Sequence, residues 1–167
     1  AWRNGPIDLP QWIRAYVLHR YGRANKDALD AWWALLDVVY NGAHYTRSIM
    51  DQAPNVQPAG APPYDQARLA DAWQALLATS DELGAVDTYR FDLVNVGRQV
   101  LSNHATVLHA ALVGAAREKN AAAFASASEQ FLQSIRDLDE LLATRQEFLL
   151  GRWLEDARRW GTTDAER

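Results

Sequence analysis

Helical hydrophobic periodicity is the feature that most restricts the fold. Along nearly all of the 167 residues, apolar side chains recur at helical spacing, and no alternating β-branched run longer than a few positions competes with it. The pattern predicts six helices. In the first, Asp8 is the expected N-cap and Pro10 lies early in the first turn. Its stripe of Leu9, Trp12, Ile13, Tyr16 and Val17 ends at Gly22. The second starts near Asn25; its Leu29, Trp32, Trp33, Leu35, Leu36, Val38, Val39 and Tyr40 point almost all round, as in a buried helix, before Gly42 closes it. Between 43 and 63 lie four of the six prolines, Pro54, Pro58, Pro62 and Pro63, which predicts a long Pro-rich loop.

A third helix carries Leu69, Ala72, Trp73, Leu76 and Leu77 to about Thr79, and Ser80, Asp81 and Gly84 read as the turn after it. The fourth, from about Thr88 to Lys119, is the longest, with a stripe running from Leu93 through Val100, His104 and Leu108 to Ala115. The fifth follows Asn120 with a seven-residue repeat of Phe124, Phe131 and Leu138. The sixth, from about Thr144 to Trp160, sets Leu150, Trp153, Leu154, Ala157 and Trp160 on one face. Short connections late in the chain predict antiparallel neighbours. The expected architecture is thus a single all-α domain over 1–167, an antiparallel up-and-down helical bundle.

Charge and composition then remove function classes. The formal net charge of -4 supplies no field toward phosphate backbones or anionic membranes, so neither nucleic acid nor a membrane is an expected partner. Without cysteine there is no disulfide, thiolate zinc site or cysteine nucleophile. No apolar run has the length of a membrane span, and the first residues do not form a signal peptide. A dimetal carboxylate site needs Glu-x-x-His pairs, but Tyr16, Asn41, Leu101 and Thr106 stand three positions before His19, His44, His104 and His109. No metal or cofactor is expected. His104 and His109 diverge by about 140° on a helix, and the reading is a partly buried His104 with His109 toward solvent. Nucleophile-elbow, P-loop and zincin motifs are absent, and the acidic residues have the spacing of solvated helix pairs. Seven tryptophans are many for this length. Trp12, Trp73 and Trp153 read as core, whereas Trp32 and Trp33 point about 100° apart, so one of them serves a second surface.

The segment from Thr88 to Leu101 is less ordinary. It holds Arg90 and Asp92 between aromatics and puts Gly97 and Arg98 mid-helix, where a glycine costs about 1 kcal/mol against alanine and signals a close approach. The blocks Tyr89-Arg90-Phe91-Asp92-Leu93 with Gly97-Arg98-Gln99, Arg20-Tyr21-Gly22, Ala31-Trp32-Trp33-Ala34-Leu35-Leu36 with Val39-Tyr40-Asn41, and Phe148-Leu149-Leu150-Gly151-Arg152-Trp153-Leu154-Glu155-Asp156-Ala157-Arg158 come in one order. Together they resemble the C-terminal helical domain of glycoside hydrolase family 89, the α-N-acetylglucosaminidases. The resemblance covers about Leu9 to Arg158. It implies a non-catalytic part of a retaining exo-enzyme whose two catalytic glutamates sit on a barrel domain absent from this sequence. The expected partners are that barrel, in the same polypeptide, and the parent's glycan substrate; the expected setting is secreted or lysosome-like. The chain alone is expected to be inactive. Arg47, Tyr89, Arg90, Asp92, Arg98 and Trp33 are the candidate barrel-facing or cleft-wall residues. Where the family tends to carry an Arg-Pro-Ser-Leu-like stretch, this chain reads Ala53-Pro54-Asn55-Val56. The alternative from another class is an independent helical interaction module or bundle dimer.

Overall fold

The computed structural model describes residues 5–41, 48–57 and 60–166, and these are helical throughout their ordered elements, with no strand among them. Seven α-helices follow in order: α1 (Leu9–Tyr21), α2 (Lys26–Leu35), α3 (Gln66–Ala78), α4 (Ser80–Leu83), α5 (Asp87–Arg117), α6 (Ala121–Ala143) and α7 (Leu150–Trp160). The all-α class read from the periodicity is the observed one. The seventh element is the single turn α4, which occupies the stretch read as a connecting turn. Its Leu83 is fully buried and anchors it between α3 and α5.

Local chemistry sets the helix ends. The Asp8 carboxylate accepts from the Gln11 amide at 3.0 Å, and Asn25 and Asn120 cap α2 and α6 by accepting from the Ala28 and Ala123 amides at 2.9 and 3.0 Å. Gly22 stops α1 in the left-handed region at φ 73°, and its amide donates back to the Leu18 carbonyl. Helix α2 does not simply run to its end. Its last turn, Leu36–Tyr40, widens into a π-turn closed by the Asn41 amide on the Leu36 carbonyl at 2.9 Å. The expected stop at Gly42 lies outside the described residues.

The core joins α1, α2, α3 and the first half of α5 through Ile13, Val17, Tyr21, Ala28, Trp32, Leu35, Leu69, Leu76, Leu83, Tyr89 and Val96. Trp32 is in this core and Trp33 is partly exposed, as their divergence requires. The expectation that α2 is buried all round does not hold, because Val39 and Tyr40 are exposed. Helices α5 and α6 pack along their lengths in antiparallel register: Gly97 meets Leu141, and further along α5 the His109 ring meets Phe131 at 5.6 Å. A Cβ on Gly97 would lie 2.9 Å from Trp73 Nε1 and 3.3 Å from Leu141 Cδ2, so three helices converge there, and the glycine is explained by close packing.

Several burial expectations are reversed. His109 is buried and His104 exposed, because α5 turns a different face to its neighbours along its length than a stripe of constant phase implies. The His109 Nε2 lies 3.0 Å from the Asn55 carbonyl, so it ties the Pro-rich segment to α5. That segment is not bare loop: Ile49–Asp51 forms a 3₁₀ turn with Ile49 buried. Trp12 and Trp153, read as core, are 51% and 65% exposed. The last helix begins at Leu150 rather than about Thr144, after a 3₁₀ turn over Gln146–Phe148, and none of its residues is buried.

Candidate functional site

The densest polar chemistry lies where α1 meets α5. Helix α5 buries Asp92 to 4% exposure, and α1 delivers Arg20 and Tyr21 to it from consecutive positions. The Arg20 guanidinium donates through Nε to Asp92 Oδ2 at 2.5 Å and through Nη2 to Oδ1 at 2.6 Å, a two-pronged fork. The Tyr21 hydroxyl donates to Asp92 Oδ2 at 2.9 Å and accepts from Trp32 Nε1 at 2.8 Å, which carries the network into α2. Thr88 on α5 donates its hydroxyl to the Arg20 carbonyl.

The electrostatics of this cluster are static. The hydrogen bond to Asp92 holds the Arg20 proton more tightly than in a free guanidinium. Burial, then the Asp92 charge, push the Tyr21 phenol far above its ordinary range. Both Asp92 oxygens are occupied by donors, so the carboxylate has no role open to it as a base. This is a clamp between helices.

Beside the clamp lies an aromatic corner. The Trp12 and Tyr16 rings stack at 5.3 Å and 13°, the Trp32 and Tyr40 rings at 6.1 Å and 14°, and Tyr16 meets Trp32 edge-on at 4.8 Å and 76°. The two walls, with Ile13 and Leu36, enclose a cavity of about 280 Å³. Arg20 Cζ lies 5.7 and 6.0 Å from the Tyr16 and Trp32 ring centroids, so the clamp also backs the corner. Partial desolvation raises the Tyr16 and Tyr40 phenols above their ordinary values, so both rings stay in the neutral form.

The structure brings together only part of the sequence-derived set. Tyr89 is 1% exposed, and its hydroxyl donates to the Leu76 carbonyl at 2.7 Å. Its ring packs edge-on to Tyr21 at 5.8 Å, which places Tyr89 and Asp92 in one interior cluster. Arg90 is exposed, 3.5 Å from Asp87. Arg98 donates to Asn95 Oδ1 at 3.0 Å and leaves its buried Nε without an acceptor. Trp33 is partly exposed, about 100° round α2 from Trp32, and packs against the edge of the same core. Arg47 lies outside the described residues. The corner residues Trp12, Tyr16 and Tyr40 were missed as a group. The Trp12–Tyr16 spacing of four was visible, but an ideal helix sets Tyr40 about 80° away from Trp32. The π-turn brings it back.

Among the described residues no group of three or more His, Asp or Glu side chains could hold a metal ion, and no helix is long and apolar enough to cross a membrane.

Comparison with known proteins adds the context. The model of the alpha-N-acetylglucosaminidase (NAGLU) C-terminal domain family matches residues 12–167. Human alpha-N-acetylglucosaminidase is 31% identical over 173 residues, which takes in 99% of this chain and 23% of the human protein. A family 89 glycoside hydrolase from Clostridium perfringens, solved with PUGNAc, superposes with a TM-score of 0.88 at 28% identity over 99% of this chain and 20% of that one. The Clostridium perfringens protein CpGH89, solved with its substrate GlcNAc-alpha-1,4-galactose, gives a TM-score of 0.89 at 28% identity over the same shares. The chain thus spans about a fifth of the length of the relatives it matches.

Proposed function

Since the chain belongs to the alpha-N-acetylglucosaminidase C-terminal domain family, we propose that it serves a retaining exo-α-N-acetylglucosaminidase as a non-catalytic helical domain, packed on the catalytic barrel and forming one wall of the substrate cleft. The observation that carries this reading is the family match across residues 12–167, in relatives at least four times as long. The domain supplies shape and contacts; the chemistry is carried elsewhere. In an α-linked sugar the 2-acetamido group lies on the leaving group's side and cannot attack from behind, so the parent reaction needs a protein carboxylate as nucleophile and a second as acid. Asp92 meets neither need, being locked to Arg20 and Tyr21.

Within that role the six candidate residues divide. Arg90 and Trp33 are the side chains offered to the barrel or the cleft, together with Arg98, half-buried in the middle of α5 and bonded to Asn95. Tyr89 and Asp92 act from inside by fixing α1 to α5. Arg47, in the Pro-rich segment, belongs to the same proposed wall.

The test has two arms. The chain alone is expected to leave an aryl α-N-acetylglucosaminide intact, and turnover by it would overturn the reading. In the parent polypeptide, Arg90→Ala and Trp33→Ala are expected to raise KM for α-linked N-acetylglucosaminides severalfold with the helical content unchanged. Kinetics identical to the parent's in both variants would remove the cleft-wall role.

A further inference from the structure

The aromatic corner has more built structure than a core needs. Trp12 is 51% exposed and Tyr40 61% exposed, yet both rings are held flat against inner partners, Tyr16 and Trp32. Tyr40 reaches Trp32 only because the end of α2 opens into a π-turn, a conformation less favourable than α-helix and found disproportionately at functional positions. The clamp behind the corner fixes the walls, since Trp32 Nε1 is given to Tyr21 and the Arg20 guanidinium faces both Tyr16 and Trp32. The result is a stiff, open, mostly apolar recess of about 280 Å³ whose walls are held by contacts within the domain.

We infer that this recess receives a bulky apolar side chain from the catalytic part of the same polypeptide and is the anchor point by which the helical domain docks. The inference rests on the docking role proposed above and names where it happens. The lining chooses the occupant. A pyranose would bring several hydroxyls into a recess whose Ile13, Leu36 and ring faces offer them few partners, leaving them desolvated. An aliphatic or aromatic side chain loses nothing there and gains contact on two walls. Rigid Trp and Tyr rings around a pocket are also the composition of interface hot spots. The polypeptide to supply the occupant exists on the same reading, because about four-fifths of each matched relative lies outside the region this chain covers.

The experiment is oxidative footprinting of the parent polypeptide, read at single tryptophans and tyrosines. Trp12 and Tyr40 are expected to oxidise at least fivefold more slowly than half-exposed rings should. That protection should be unchanged on twentyfold dilution and on omission of GlcNAc-alpha-1,4-galactose. Tyr40→Ala in the parent should restore fast oxidation of Trp12, and Tyr40→Phe should not. Free oxidation of Trp12 and Tyr40 in the parent overturns the inference. Protection lost on dilution would assign the recess to a second copy, and protection that appears only with the disaccharide would assign it to a glycan; each overturns it. The failure modes separate: if Trp153 and Trp160 on α7 are protected while the corner is open, the domain docks through α7, whereas free oxidation at all four positions removes the docking role itself.

Discussion

Replacing Asp92 tests the clamp most directly. The carboxylate is 4% exposed and accepts three hydrogen bonds, two from Arg20 at 2.5 and 2.6 Å and one from Tyr21 at 2.9 Å. In Asp92→Ala the guanidinium loses its counter-charge while remaining packed against the Tyr16 and Trp32 rings. Removing one member of a buried ion pair costs about 3–5 kcal/mol. The Arg20 side chain is 25% exposed, so water softens the loss, and the cost falls at the low end, about 3 kcal/mol. With a urea slope of about 2 kcal/mol/M, the unfolding midpoint should drop by about 1.5 M. The thermal midpoint should fall by about 6–12 °C for a domain of this size. The assay is equilibrium urea unfolding followed by helical circular dichroism and tryptophan fluorescence. A double variant, Arg20→Met with Asp92→Leu, removes both charges and fills the space with apolar atoms, so it should recover to within about 1 kcal/mol of the parent. The exposed pair Lys26–Asp30, at 2.5 Å, is the control, and Asp30→Ala should change nothing measurable. The reasoning is refuted if Asp92→Ala costs under about 1 kcal/mol, or if the double variant is no more stable than Asp92→Ala.

Other substitutions probe separate parts of the fold. Gly97→Ala gains about 1 kcal/mol of helix propensity but drives a methyl to 2.9 Å from the Trp73 indole nitrogen, which donates to the Leu93 carbonyl at 3.1 Å. Overpacking of about 1–3 kcal/mol should win, giving a net loss visible in a thermal melt. His109→Leu removes the link to the Asn55 carbonyl, so cleavage in 48–57 by a low concentration of protease should accelerate while α5 and α6 stay intact. Arg145 bridges the start of α5 to the turn before α7, 2.7 Å from Asp87 and 2.7 Å from Glu147, and lowers the pKa of both carboxyls. Their contribution is present above the ordinary carboxyl range and is lost as pH falls through the lowered values. The stability gap between the parent and Arg145→Gln should therefore be full at neutral pH and close below about pH 4; a gap that widens in acid would contradict it.

The helices were legible because their signals are local. Asp8, Asn25, Gly22 and Asn120 cap by contacts within three or four residues, and the caps are where the residue types place them. The function class was legible through collinear blocks, two of which prove to be the two halves of one clamp, Arg20-Tyr21 and Asp92. What was not legible depends on partners distant in sequence. A stripe of constant phase put His104 inward over α5, but α5 is packed by α1 and α3, by the Pro-rich segment at His109 and by α6 along its length, so its buried positions do not form one stripe. Amphipathic spacing in α7 revealed an apolar face without revealing what lies against it, so Trp153 read as core although it is exposed and donates its indole hydrogen to the Glu147 carbonyl. The π-turn has no residue signature at all, since Leu-Asp-Val-Val-Tyr is unremarkable helix sequence, and with it went the corner that Tyr40 completes.

The clamp also dictates an order of events during synthesis. Arg20 and Asp92 are 72 positions apart, so α1 has no counter-charge to close on until the start of α5 has left the ribosome. Before that point the growing chain carries an unanswered guanidinium beside Tyr16 and Trp32, with their aromatic surface less covered than in the finished fold. The interval is the one in which a chaperone has most to hold and a neighbouring nascent chain has most to stick to. A translational pause while Asp92 is still inside the ribosome should therefore harm the yield of folded protein more than an equal pause after the start of α5 has emerged.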